Sequence, residues 1–172
     1  GMTANFDAAK SAALAIAPET FGQGHSINIQ VIDNRAQTAI GSRGGIYEKS
    51  SQIEPANDVA DAIRSEAAAG FIRQGFVLAG TEAENVVAIG IEQLDYVVPP
   101  GAIATSADIT VALKVTARRG AKQQETVYRS TVNRRFPVVP TATQNEIWIN
   151  EVLTETLQRL FADPQIRALL IE

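Results

Sequence analysis

No cysteine occurs in these 172 residues. That removes disulfides, thiolate nucleophiles and zinc–thiolate sites in one step. Histidine is almost missing too: His25 stands alone, in the glycine-rich stretch "FGQGHS". A Ser–His–Asp triad needs an oriented histidine beside a nucleophile, and a zinc site would have to be built almost wholly from carboxylates. Neither Gly-x-Ser-x-Gly nor His-Glu-x-x-His is present. No apolar run has the length needed to cross a bilayer. Excess basic charge is lacking as well, with a formal net charge of −4. A nucleic-acid module would be basic and would expose aromatics for stacking. The expectation is therefore no catalytic residue, no metal, no cofactor and no nucleic-acid partner.

What is present suits one folded unit. Apolar residues make up 45 % and charged residues 20 %, ordinary globular usage that argues against wholesale disorder. Gly1 before Met2 reads as a cleavage scar. Residues 1–26, rich in Ala and ending in "PETFGQGHS", read as a tether or extended segment. If the stretch packs instead, it does so through Phe6, Leu14, Ile16 and Phe21. Residues 27–172 read as a single α+β domain.

The periodicities place its elements. "INIQVID" puts Ile27, Ile29 and Val31 on one strand face. "GIYEKSSQI" reads as a second extended piece. Pro55 opens a helix over 56–74, with Val59, Ile63, Ala67 and Phe71 four apart and Gly75 as its C-terminal cap. "NVVAIGIEQLDYVV" is apolar on both parities near its start, which predicts a strand that is central or covered on two sides. "ADITVALKVTARR" alternates cleanly, and the short link "RRGAK" joins it to "QQETVYRSTVNRRF" as a hairpin. A helix over 143–162 follows, with Thr143 and Glu146 at capping-box spacing, and Asp163-Pro164 starts a short final helix. This order predicts an α+β fold: a mainly antiparallel sheet with two long helices packed on it.

The loop "IGSRGGIYEKSS" after the first strand invites a phosphate-binding reading, with Arg43 and Lys49 as the candidate cations. It lacks both the P-loop frame and the Gly-x-Gly-x-x-Gly fingerprint, and no helix starts directly behind it. Gly41, Gly44 and Gly45 read as turn residues with positive φ. Asp33 and Arg35 share the core-facing parity of the strand before it. They are candidate ligand contacts, or a clasp that fixes the strand exit. The basic stretch of the hairpin gathers Arg118, Arg119 and Lys122 at the tip and Arg134 with Arg135 at the far end. It suits protection of an edge strand, or contact with anionic lipid or glycan. Carboxylate pairs such as Glu82 with Glu84 and Glu92 with Asp95 read as solvated surface, and Trp148 as a packing residue.

Taken together, "INIQVIDNR", "GSRGGIY", "RQGF", "ATSADITVALKVTARRGAKQQETVYRS" and "INEVLTETLQRLFADPQIRALL" resemble the YajG-like lipoprotein family of Gram-negative bacteria, over roughly residues 14–172. The resemblance implies lipidation at an N-terminal cysteine, which is not among these residues. It also implies a periplasmic location at the outer membrane. It brings no established activity. The expected function is a non-enzymatic binding or scaffolding module of the cell envelope. Its partner would be an envelope protein, a cell-wall fragment or a lipid. The alternative is an envelope enzyme acting on cell-wall fragments through a carboxylate or Ser/Lys site.

Overall fold

The structure, a computed structural model, describes residues 2–4, 18–36, 40–42, 52–55, 58–98, 106–137 and 140–172. Its longest strands follow from strict alternation. In β7 (Ser106–Arg119), Ile109, Val111, Leu113 and Val115 are fully buried, while Asp108, Thr110, Lys114 and Thr116 stand on the other face. β8 (Lys122–Arg135) returns antiparallel, in register from Arg119 opposite Lys122 to Ser106 opposite Arg135. Gly120 and Ala121 alone make the turn. Gly120 has φ 60°, and a positive φ at the first of two loop residues is the type II′ geometry that matches strand twist.

β6 (Asn85–Val97) pairs antiparallel with the other side of β7, with a register shift between Ile91 and Gln93. The shift changes which parity faces the core. Val87, Ile89 and Ile91 point to the core before it, and Leu94 and Tyr96 after it. β6 is central, lying between β2 and β7, and among the described residues no helix stands above Val86, Ala88 and Gly90, which are half-buried on its second face.

The sheet is mixed, which corrects the mainly antiparallel expectation. β2 (Ser26–Asp33) lies parallel to β6, from Ile27 opposite Asn85 to Asp33 opposite Ile91. The reason is the 15-residue helix α1 (Val59–Arg73) between them, which carries the chain back to the end where β2 began. β5 (Val77–Leu78) adds in parallel outside β2. The sheet body is thus β8-β7-β6-β2-β5. β3 (Gly41–Ser42) pairs with β6 at Tyr96, β4 (Gln52–Pro55) pairs antiparallel with β3, and β1 (Met2–Ala4) pairs parallel with β4.

Three helices occur among the described residues, and the expected two long ones need correction. α1 begins four residues after Pro55, which instead ends β4. Asp58 caps it by accepting from the amides of Ala60 and Asp61. Its stripe of Val59, Ile63, Ala67 and Phe71 is buried as the spacing predicts. Gly75 follows with φ 97°, the left-handed position after the helix. α2 (Ala142–Ala162) is the one long helix, with 21 residues. Its cap is Thr141, not Thr143: the Thr141 hydroxyl accepts from the Gln144 amide at 3.1 Å, directly after Pro140. Ile149, Val152, Leu153, Thr156, Leu157 and Leu160 are all buried beneath it. α3 (Pro164–Ile171) starts at Asp163 and buries Ile166 and Leu170. All three helices lie on one side of the sheet. Phe71 sits where the layers meet, edge-on to Phe76 and Phe161 at 5.8 and 5.3 Å. Burying one such ring is worth about 1.5–3 kcal/mol.

The stretch expected as a tether is docked where it is described. Beyond β1, the amides of Glu19, Gly22 and Gly24 donate to the carbonyls of Arg73, Gln74 and Gly75, the groups a helix end leaves free. Phe21 packs edge-on to Phe76, and the Arg167 guanidinium lies 3.9 Å from the Phe21 ring centre. Phe6, Leu14 and Ile16 lie outside the described residues.

Candidate functional site

β2, β6 and β8 run the same way, and the C-terminal ends of β6 and β8 lie together at one end of the sheet, while β2 stops short of it with Asp33 opposite Ile91 in the middle of β6. α2 starts over this end. Tyr96 Oη donates to Asn145 Oδ1 at 2.6 Å, and Phe136 stacks on Trp148 with centroids 6.1 Å apart. Both contacts are made by the first turns of α2. The packing role expected of Trp148 is met.

Asp33 and Arg35 lie at the exit of β2, level with the middle of β6 and β7. Asp33 is the last residue of β2, and the chain just past it turns Arg35 back so that the two side chains meet. Arg35 Nε donates to Asp33 Oδ1 at 2.9 Å and Nη2 to Oδ2 at 2.8 Å, while the Arg35 amide also donates to Oδ1. This bidentate fork holds the Asp33 carboxyl below its ordinary range, against the opposing effect of burial. The Arg35 side chain is only 7 % exposed. Its Nη1 is buried and has no hydrogen-bond partner among the described residues. The pair is neutral overall, and the fork fixes the exit of β2.

An open hollow of about 600 Å³ lies where β7 begins and β8 ends, lined by Ser106, Asn133, Arg135, Phe136 and Pro137. Its polar wall is partly spent internally, since Asn133 Nδ2 donates to Asp108 Oδ1 at 2.7 Å.

The other predicted contacts do not converge here. Arg43 and Lys49 lie outside the described residues, as do Gly44 and Gly45, and Gly41 is a strand residue of β3. Arg118, Arg119 and Lys122 sit at the opposite end of the sheet, and they do not act as one cluster. Arg118 and Lys122 are exposed. Arg119 turns inward, with Nη1 donating to Asn85 Oδ1 at 3.3 Å and to the Leu170 carbonyl at 3.1 Å. Asn85, fully buried, ties the Ser26 and Leu170 carbonyls together.

Beside this network is a pair that sequence reasoning missed. His25 Nδ1 lies 2.8 Å from Glu84 Oε2, which also accepts from the Ser26 amide and lies 3.7 Å from Arg119 Nη1. The His25 hydrogen bond leads in holding the Glu84 carboxyl below its usual range, with Ser26 and Arg119 adding to it. The two residues are 59 apart in the chain, and no local pattern links them.

Among the described residues no group of three or more His, Cys, Asp and Glu could hold a metal ion, and no helix is long and apolar enough to cross a membrane. A family model described as uncharacterized lipoprotein, Lipoprotein_16, matches residues 13–170. The chain belongs to this family. A lipoprotein family points to the cell envelope as the place of work. No curated protein matches the chain.

Among solved structures, protein XCC0632 from Xanthomonas campestris is similar with a TM-score of 0.58 and 13 % identity, over 84 % of this chain and 85 % of that one. At that identity the likeness shows the fold alone. A minor lipoprotein from Acinetobacter baumannii is similar at a TM-score of 0.45 and 11 % identity, over 83 % and 92 %. Lipoprotein GNA1162 from Neisseria meningitidis is similar at 0.40 and 8 %, over 76 % and 96 %.

Proposed function

We propose that this lipoprotein-family chain is a non-enzymatic binding or scaffolding module of the Gram-negative envelope, of the YajG-like kind. It works in the periplasm, held at the outer membrane by an N-terminal lipid. The observation that carries the reading is the family match over residues 13–170. The Asp33–Arg35 clasp at the exit of β2 supports it by presenting a neutral, hydrogen-bonding pair whose carboxylate is partly exposed. The partner is an envelope protein, a cell-wall fragment or a lipid.

The test uses cells expressing the full gene. Fractionation should place the product in the outer membrane, and globomycin, which blocks lipoprotein signal cleavage, should accumulate an unprocessed form. A product that stays in the cytosol and ignores the inhibitor overturns the reading.

A further inference from the structure

We propose that β8 pairs with β8 of a second copy of this chain, antiparallel about Val127. The argument begins at the hairpin turn. Residues flanking a two-residue turn form a hydrogen-bonded pair, so Lys122 directs its amide and carbonyl at Arg119. By alternation Gln124, Thr126, Tyr128 and Ser130 also face β7. Gln123, Glu125, Val127, Arg129 and Thr131 then turn their backbone groups outward. A separate contact agrees: the Arg129 carbonyl accepts from Arg159 Nη1 at 2.6 Å, a side chain reaching from α2. Among the described residues β8 pairs with β7 alone, and all five outward residues are exposed. This open edge is long, and Val127 is 51 % exposed in its middle.

The charges decide which strand fits. An edge carrying one sign of charge repels every copy of itself. Here Glu125 and Arg129 bracket Val127 with opposite signs. A two-fold axis at Arg129 would set two guanidiniums together, and one at Glu125 two carboxylates. An axis at Val127 places Val127 on Val127, Glu125 opposite Arg129 of the second copy, and the reverse pair on the other side. Gln123 then meets Thr131 and Lys122 meets Val132, with no like charges opposed. The side chains are already held in place, Glu125 by Lys114 at 3.6 Å and Arg129 by Gln93. Arg159 is the guard, since it must release the Arg129 carbonyl before a second strand can bond there. One strand pair buries less than a standard interface, so association should be weak.

Sedimentation velocity over a concentration series tests this. The expected result is a concentration-dependent dimer. Glu125→Arg and Arg129→Glu should each weaken it by at least about tenfold, and the double reversal should restore it. Arg159→Met should tighten it several-fold by freeing the carbonyl. Val127→Pro removes an N–H that β7 does not use, so it should abolish the dimer while the urea midpoint shows a folded chain. A monomer at every concentration overturns the proposal. So does a dimer that is indifferent to the charge reversals or to Val127→Pro.

Discussion

Tyr128 Oη donates to Asp163 Oδ2 at 2.6 Å, joining the middle of β8 to the residue that ends α2 and caps α3. One carboxylate thus holds a strand and a helix junction together, with its other oxygen on the Gln165 amide. Tyr128→Phe removes the hydroxyl and leaves Asp163 Oδ2 without its donor. We expect a loss of about 1–2 kcal/mol, read as a lower urea midpoint at unchanged m-value.

Alkaline titration should separate the two buried tyrosines from solvent-exposed phenols. Burial raises the Tyr96 phenol to about 12. Burial, helped by the Asp163 carboxylate, raises Tyr128 further still. A raised folded-state value means that this stability is complete below the unfolded value of about 10 and declines as pH rises toward the folded one. Absorbance near the phenolate band should show two tyrosines ionising only with unfolding, and Tyr128→Phe should remove one of them.

The clasp at the end of β2 makes an acid-side prediction with the opposite sign. The Asp33 pKa is lowered by Arg35, so its contribution is present above the unfolded carboxylate value of about 3.9 and is lost as pH falls through the lower folded one. Arg35→Met should cost about 1–3 kcal/mol near neutrality, because it leaves Asp33 without its fork. Urea midpoints measured at neutral pH and in acid should converge between wild type and variant as Asp33 protonates. A constant gap across that range would show that Arg35 acts through packing alone.

A buried hydroxyl pair links α2 to β8. Thr156 Oγ1 lies 2.9 Å from Ser130 Oγ and 2.8 Å from the Val152 carbonyl. Thr156→Val keeps the shape but strands the Ser130 hydroxyl, and should cost about 1–2 kcal/mol. Adding Ser130→Ala should recover much of that loss. A double-mutant cycle measures the coupling, which should be at least about 0.5 kcal/mol.

Gly75 tests the turn chemistry where it is visible. At φ 97° a Cβ would be strained, and it would also stand 3.2 Å from the Glu19 carbonyl oxygen. Gly75→Ala should lower stability by about 1 kcal/mol or more and loosen residues 19–24. Faster amide exchange at Gly22 and Gly24 than at the core of β7 is the expected signature.

Much of this was legible in local pattern. The stripe of α2 from Ile149 to Leu160, the alternation of β7 and the glycine after α1 each follow from a period or a dihedral need that neighbouring residues set. The cap of α2 was misplaced because Thr141-x-x-Gln144 and Thr143-x-x-Glu146 both have capping spacing, and Pro140 favours the earlier one. The Asp33–Arg35 clasp was visible because the two residues are close in the chain, and the turn just past Asp33 brings them together. The His25–Glu84 pair was not, since it depends on where β2 and β6 lie side by side.

By itself, then, the sequence determined the elements, their buried faces, the hairpin and the absence of thiol chemistry, all matters of composition and short-range period. The tertiary structure alone decided that β2 runs parallel to β6 and that Arg119 turns inward. It alone decided that β8 is an edge, and that residues 18–25 close the end of α1. These depend on which distant segments become neighbours. That is settled by how α1 and α2 cover one face of the sheet, and no local spacing encodes it.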